Sequence, residues 1–337
     1  MIFFPDALFP DDHAAERAAA APEPVRLHRE GEVAEADWAA ARAVIATHRR
    51  RFDAALAARM TRCKVLVRSA AGYDNVDLEA FGRAGIAVCN VPDYGTTEVA
   101  DHAMALLLAL ARGVVVADAA QRSRPGSWDW RVAQPVARRL RGARLLVVGL
   151  GNIGLAVARR AAAFDMRVSF YAPRRPPGLE LALGMERADD LGAALAEADM
   201  VSLHVPLTPA TRGLFGAATL ARMKPGALLV NTARGEILDL DALHDALRAG
   251  RLGGAALDVL PDEPPDPAHP LLRAHAAGEA WLAGRLILTP HIGFLSPDAA
   301  ADLRRLAIRT ALDALRDGVL RSCVNAHLLD RARHDAR

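Results

Sequence analysis

Arg144-Leu145-Leu146-Val147-Val148-Gly149-Leu150-Gly151-Asn152-Ile153-Gly154-Leu155 decides how the rest of the chain is read. An apolar run of strand length stops at Gly149, and Ala156, Val157 and Ala158 begin a helical pattern. Gly149, Gly151 and Gly154 stand at G-x-G-x-x-G spacing, where each glycine has a separate task. The first allows a tight turn, the second lets backbone approach a pyrophosphate, and the third lets helix pack closely on strand. The helix N-terminus that follows offers unpaired N–H groups and partial positive charge to phosphates. A glycine-rich turn that binds nothing would show the same three residues. Strand before and helix after favour a dinucleotide site, with Asn152 and Ile153 inside the turn.

Around this stretch lie 337 residues, enough for two domains with separate cores. Hydrophobic content of 52% with 24% charged residues fits a globular chain rather than a disordered or fibrous one. A net charge of +2 is too small to imply a nucleic-acid partner. Cys63, Cys89 and Cys323 are odd in number and widely spaced, which predicts a reducing compartment without a disulfide framework or a cysteine-based metal site. Met1-Ile2-Phe3-Phe4-Pro5-Asp6 lacks a basic start and meets proline too early for a signal peptide. The longest apolar run, Ala103 to Ala111, is too short to cross a bilayer. The expectation is a cytoplasmic protein with no membrane, nucleic-acid or metal partner.

Upstream of the glycines, strand and helix patterns alternate. Strands are expected at Ile2–Phe4, Pro24–His28, Ala43–Thr47, Lys64–Arg68 and Ile86–Asn90, with helices around Asp12 to Ala20, Trp38 to Ala41 and Phe52 to Met60. A long helix follows from Thr96 to Arg112, with Thr96 or Thr97 as N-cap and Gly113 at its end. Pro125, Gly126 and Pro135 mark a loop holding Trp128 and Trp130. Downstream, strands are expected at Val168–Tyr171, Met200–Leu203, Ala227–Val230, Ala255–Leu257 and Leu286–Leu288, before a final helix from about Pro297 to Asp317. Such alternation favours parallel sheets with helices on both faces.

In open parallel sheets the ligand crevice lies beyond the carboxyl ends of the strands. There Val230 is followed by Asn231-Thr232-Ala233-Arg234-Gly235-Glu236, Leu257 by Asp258 with Glu263 further on, and Leu288 by Thr289-Pro290-His291. An Arg, a Glu and a His would converge on one edge, and the chemistry that suits them is hydride transfer to a 2-keto acid. Arg234 would hold the carboxylate and polarise the carbonyl. His291 would give a proton to the developing alkoxide, and Glu263 would orient the imidazole and stabilise its protonated form. Asp258 would bind a nicotinamide carboxamide or order the loop. Each has a plainer alternative. Arg234 can pair with Glu236, His291 can cap a helix, and Asp262 and Asp266 share the acidic loop with Glu263.

The chain resembles the D-isomer-specific 2-hydroxyacid dehydrogenases, and within them looks closest to the C-terminal-binding-protein-like branch. The resemblance rests on Arg68 to Asp77, Gly85-Ile86-Ala87-Val88-Cys89-Asn90-Val91-Pro92, Val99-Ala100-Asp101, the glycine stretch and His204-Val205-Pro206-Leu207-Thr208. It continues through Asn231 to Gly235, Gly254 to Val259 with Glu263-Pro264, and Thr289-Pro290-His291. It implies two doubly wound α/β parallel-sheet domains: a Rossmann dinucleotide-binding domain over 100–292, inserted in a flavodoxin-like substrate domain formed by 1–99 and 293–337. It implies a homodimer through the cofactor domain. The family's catalytic Arg, Glu and His fall on Arg234, Glu263 and His291. Its substrate-carboxylate loop falls on Ala70, Ala71 and Gly72, beside Arg68, and its pyrophosphate-side loop on Pro206 to Thr211. Cofactor contacts are implied for His204, Val205, Pro206, Thr211, Thr232, Ala233, Asp258 and His291.

Three departures stand out. A bulky Phe294 follows His291 where most family dehydrogenases have a small residue, which implies a compact substrate pocket. Residues 273–283 look longer than the usual connection. The acidic residue expected after the second Rossmann strand is absent, since Tyr171 is followed by Ala172-Pro173-Arg174-Arg175. Without a carboxylate to repel a 2′-phosphate, and with two guanidinium groups past the turn, NADP(H) is expected over NAD(H). The expected activity is reduction of a small 2-keto acid of glyoxylate or hydroxypyruvate type, or oxidation of the D-2-hydroxy acid. A cofactor-sensing co-repressor scaffold is the alternative, and a formate- or phosphite-type dehydrogenase is a weaker third.

Overall fold

The computed structural model describes residues 1–29, 31–126, 128–134 and 136–329; Pro135 of the tryptophan loop and the end of the chain lie outside the described residues. The chain divides into two compact units, Met1–Gly95 with Leu295–Arg337, and Thr96–Phe294.

The first unit carries β1 (Ile2–Phe4), β2 (Val25–Leu27), β3 (Ala43–Ala46), β4 (Val65–Arg68) and β5 (Ala87–Asn90). All pair in parallel, in the order β2-β1-β3-β4-β5, which is the flavodoxin-like arrangement. Parallel strands are joined by crossovers that cover both faces, so these short strands are apolar throughout rather than alternating. Successive side chains still divide between faces. Ile45, Val65 and Val67 pack with Leu303, Ala307 and Ala311, spaced four apart on the helix Pro297–Arg316. Val44, Leu66 and Val88 pack on the other side with Trp38, Phe52 and Phe81.

The second unit carries β6 (Arg144–Val148), β7 (Arg167–Tyr171), β8 (Glu186–Arg187), β9 (Met200–Leu203), β10 (Leu228–Asn231), β11 (Gly254–Leu257) and β12 (Leu286–Leu288). Their order is β12-β11-β10-β9-β6-β7-β8, again parallel. Strand order reverses between β6 and β9, the switch point at which Rossmann sheets open a ligand crevice. Leu146 and Val148 of β6 enter one core, and Leu145 and Val147 enter the other. That second core is closed by Ala103, Leu107 and Leu110 of the helix Thr96–Arg112 and by Val157, Ala158 and Ala161 of the helix Asn152–Ala163.

Some expectations need correction. Thr96 and Thr97 lie inside the helix instead of capping it, and the Thr96 hydroxyl is buried without a partner. The long helix ends at Arg112 before Gly113 as expected, but helical structure resumes at once. Gly113 adopts φ 65° and starts a second helix, Val114–Ser123, bent 64° from the first. A side chain there would also press within 2.9 Å of Ala133 and Val136, so only glycine makes the bend. β8 was hidden because two residues give no period. Residues 273–283 form the end of the helix Pro270–Ala276 and a 3-10 turn, Ala280–Leu282, whose Leu282 is buried in the core beside Leu271 and Ala274. No single helix among the described residues is long and apolar enough to cross a membrane, although the bent pair passes by length and composition together.

Candidate active site

The glycine turn shows three different reasons for glycine. Gly149 has φ 96°, and a Cβ there would sit 2.7 Å from the His204 carbonyl; a Cβ on Gly154 would lie 2.1 Å from the Gly149 oxygen. Both are required by the protein itself. A Cβ on Gly151 would meet nothing within 4 Å. The fold does not demand glycine there, and the open space above it is where a pyrophosphate would approach the backbone. Gly151 also caps the helix Asn152–Ala163 without a side-chain hydrogen bond to its first amides, and a helix N-terminus of that kind suits an anion. The fit to a dinucleotide has a second support: the Thr232 hydroxyl is buried and has no partner. A ligand amide or hydroxyl is the partner such a group needs.

Across the switch point, His204 follows β9. Its amide donates to Val148 O at 2.7 Å and its Nε2 lies 2.8 Å from Ser202 Oγ. Burial pushes its pKa down to about 3, so the ring is neutral. In the following loop the Thr211 hydroxyl donates to Pro206 O at 2.7 Å and accepts from Thr208 N at 2.8 Å. Thr211 therefore fixes the shape of the loop that begins Val205-Pro206.

Beyond β7, Ala172 is buried while Arg174 is exposed. Arg175 folds back, its Nε donating to Leu150 O of the glycine turn at 2.8 Å. Arg187, on β8, donates to Pro176 O at 2.6 Å and pairs with Glu180 at 2.9 Å. The turn is basic and pinned from two sides.

Beyond β10, Asn231 is fully buried and brackets the next three residues: its Oδ1 accepts from Ala233 N at 3.0 Å and its Nδ2 donates to Arg234 O at 2.9 Å. Arg234 is extended, and its Nη1 donates to Ala233 O at 2.7 Å. Glu236 stands 3.8 Å from Arg212. Gly235 is clamped: a Cβ would lie 1.9 Å from the Leu260 carbonyl carbon, so the loop after β10 rests directly on the loop after β11.

That second loop carries Glu263. One carboxylate oxygen accepts from Leu260 N at 3.1 Å, and the other lies 2.6 Å from His291 Nδ1. Burial pushes the Glu263 carboxyl up. The His291 hydrogen bond and charge, with the Leu260 amide and the nearby Arg234 guanidinium, outweigh burial and hold it below its ordinary value. Of the three acids in the loop, Glu263 is thus the one that meets the imidazole, while Asp266 accepts from Ala268 N at 2.8 Å. An ionised carboxylate only accepts, so Nδ1 carries the hydrogen.

His291 itself has φ 53°, a left-handed backbone uncommon outside glycine. Its amide reaches Asp258 O at 2.8 Å and Thr289 O at 3.0 Å. It caps no helix; Ser296 takes that role for the helix Pro297–Arg316. Phe294 packs edge-on to the imidazole at 6.4 Å. Asp258 explains how this tight loop holds. It is 3% exposed, and its carboxylate accepts from Thr289 Oγ1 at 2.6 Å, Ile292 N at 3.0 Å and Gly293 N at 2.9 Å. His102 Nε2 lies 3.0 Å from Thr289 Oγ1 and 3.3 Å from Asp258 Oδ1. Ordering the loop is what the bonds of Asp258 do. His102 and Gly293 escaped the sequence reading. Gly293 leaves room, since a Cβ there would be 2.8 Å from Asp258 Oδ2.

In the first unit, Arg68 is buried with Nε on Asn75 Oδ1 at 2.9 Å and Nη1 on Ser69 O at 3.3 Å. The loop Ala70-Ala71-Gly72 follows β4, tied back by Val91 N to Ala70 O at 3.1 Å and Asn90 Nδ2 to Ala71 O at 2.7 Å.

A Rossmann sheet with a glycine cradle at its switch point, and an Arg, a Glu and a His beyond neighbouring strands, defines a nicotinamide-dinucleotide oxidoreductase domain. Residues 104–293 match the family described as D-isomer specific 2-hydroxyacid dehydrogenase, NAD binding domain. The chain belongs to this family. It is 36% identical over 284 residues to a glyoxylate reductase of Thermococcus litoralis, covering 83% of this chain and 82% of that protein. Among solved structures it is similar to a glyoxylate reductase from Paecilomyes thermophila, with TM-score 0.83, 28% identity and coverage of 96% and 97%. It is also similar to a D-lactate dehydrogenase from Aquifex aeolicus in complex with NAD and lactic acid, with TM-score 0.80, 26% identity and coverage of 98% and 97%. These relatives are named as reductases and dehydrogenases. They lend no support to the co-repressor alternative and do not point to the narrower C-terminal-binding-protein branch.

Proposed function

We propose that the protein reduces small 2-keto acids of glyoxylate or hydroxypyruvate type to D-2-hydroxy acids, using NADPH in preference to NADH. The observation that carries this reading is the 2.6 Å contact between His291 Nδ1 and Glu263 Oε2, made in the unit that holds the glycine cradle and Arg234. A bound reduced nicotinamide supplies the hydride to the carbonyl carbon. Arg234 engages the substrate carboxylate and draws charge toward the carbonyl oxygen. With Nδ1 held by Glu263, the imidazolium delivers its other proton, from Nε2, to the alkoxide as it forms. Glu263 keeps the ring in that orientation and stabilises its charged form. Thr232, Ala233 and Asn152 contact the cofactor. Met1–Gly95 with Leu295 onward serves as the substrate domain.

The preference for NADPH rests on Ala172 in place of an acid and on the basic turn of Arg174 and Arg175. The protein acts in the cytoplasm, a reading that rests on its three free cysteines. It works as a homodimer. Val114 and Val115 are 56% and 45% exposed, and Trp128 and Trp130 are 93% and 75% exposed, all on one stretch of the second unit. A second copy of this chain covers them. Light scattering tests the dimer, with a monomeric mass contradicting it. The activity is tested by following reduced nicotinamide absorbance with a panel of 2-keto acids. Turnover near 1 per second or above supports the enzyme; cofactor binding without turnover on any of them contradicts it.

A further inference from the structure

The three cysteines are far apart in sequence, but two of them are neighbours in the first unit. Cys89, on β5, and Cys323 form an isolated antiparallel bridge. Asn90 N donates to Ser322 O at 3.3 Å, and Val324 N donates to Val88 O at 2.8 Å. The ladder bonds thus flank Cys89 and Cys323 and do not join them, which makes them a non-hydrogen-bonded pair. Such pairs hold their Cα atoms about 4.5 Å apart with side chains on the same face. Disulfides need a Cα separation of about 4.4–6.8 Å.

We propose that Cys89 and Cys323 form a dithiol that oxidises to an intramolecular disulfide. Cys89 is fully buried and Cys323 half-buried, so Cys323 meets the oxidant and Cys89 resolves. The neighbouring sulfur lowers the Cys323 pKa and, with burial, raises that of Cys89, while the Cys323 Sγ lies 3.4 Å from Asn325 Oδ1. The attacking thiol is the accessible one, Cys323. With a glutathione-type disulfide as oxidant, the Cys323 thiolate attacks one sulfur and expels one thiolate, giving a mixed disulfide. The Cys89 sulfur then attacks Cys323 Sγ, expels the second thiolate and gives up its proton to it. Two protein thiols are oxidised and one small disulfide is reduced to two thiols.

Cys63 is the internal control. It is 8% exposed, its Sγ donates to Val65 O at 3.3 Å, and burial pushes its pKa up to about 12. The pair also sits one residue from Asn90, whose side chain holds the Ala71 carbonyl.

The test treats the folded wild-type protein with oxidised glutathione and maps its peptides without reduction. The expected result is loss of two thiols of the three, a linked peptide containing Cys89 and Cys323, and a mass lower by two hydrogens. Dithiothreitol restores all three. Cys63→Ser behaves as wild type, while Cys89→Ser accumulates a stable glutathione adduct on Cys323. A persistent adduct on Cys323 in the wild type, unreacted thiols, or a disulfide between two copies would each overturn the proposal. Because the wild-type map decides the matter, a variant that fails to fold does not blunt the test.

Discussion

His291 Nδ1 and Glu263 Oε2 meet at 2.6 Å although 28 positions separate them in the chain. Two loops have to be held independently for this to happen. One is clamped through Gly235 against Leu260, and the other is tied through the Asp258 carboxylate to Thr289, Ile292 and Gly293. The pair is a consequence of loop architecture as much as of its two side chains.

Glu263→Gln removes the charge and keeps the shape. The amide no longer stabilises an imidazolium and can present either face to Nδ1. Reduction should slow by about 10–100-fold, less than the loss of the proton donor itself. The acid side is also informative. Glu263 titrates below its ordinary value, so its carboxylate stays ionised until the pH falls through that lowered value. Wild-type turnover should therefore persist through the usual carboxylate range on acidification. A loss of activity centred at the ordinary Glu value would contradict this.

Asp258 is buried, which raises its pKa, but bonds from His102, Thr289 and the Gly293 and Ile292 amides hold it below the usual carboxylate range. A depressed pKa contributes stability that is present above the unfolded value, about 3.9, and lost as pH falls through the folded one. Asp258→Asn should cost about 2 kcal/mol at neutral pH. The difference from wild type should shrink in strong acid. Denaturant titrations at the two pH values check this, and an equal cost at both would show that the charge is not what matters.

Gly151→Ala and Gly154→Ala should separate ligand from fold. The added methyl meets nothing at Gly151 but lies 2.1 Å from the Gly149 oxygen at Gly154. Stability should change by no more than about 0.5 kcal/mol in the first and fall by about 1–3 kcal/mol in the second. Cofactor affinity should drop about tenfold or more in the first, a loss of at least about 1.4 kcal/mol of binding. Unchanged affinity in Gly151→Ala would place the pyrophosphate elsewhere.

Cofactor choice is tested at the turn after β7. Ala172→Asp introduces the carboxylate that accepts from a ribose and repels a 2′-phosphate, and Arg174→Ala removes an exposed cation. Each should move the ratio of kcat/KM for NADPH over NADH toward NADH. A wild type that prefers NADH, or variants with an unmoved ratio, would contradict the NADPH reading.

Much of the second unit was legible because its signals are local. The glycine turn, β6, and Arg234 and His291 just past strand ends are each read within a dozen residues. Glu263 was one of three acids in its loop until the fold showed which carboxylate Leu260 N and His291 select. His102 and Cys323 were not legible at all. Their partners lie on other elements, Thr289 for His102 and Cys89 for Cys323, and no period or spacing links them. The helix Val114–Ser123 was missed because Gly113 reads as a stop, whereas its left-handed φ here makes a bend.

Arg234→Lys should fail nearly as badly as Arg234→Ala. An ammonium cannot reproduce the planar fork that engages a carboxylate and its neighbouring carbonyl together. Steady-state kinetics of the two variants check this. A lysine variant with most of the wild-type kcat/KM would make Arg234 a structural residue, held as it is against Ala233 O.

The most direct measurement compares wild type with His291→Asn for reduction of glyoxylate by NADPH, alongside cofactor affinity from nicotinamide fluorescence. A fall in kcat of about 10²–10⁴-fold is expected, with affinity for NADPH nearly unchanged, because a general acid acts in the transition state. Near-wild-type turnover in His291→Asn would contradict it.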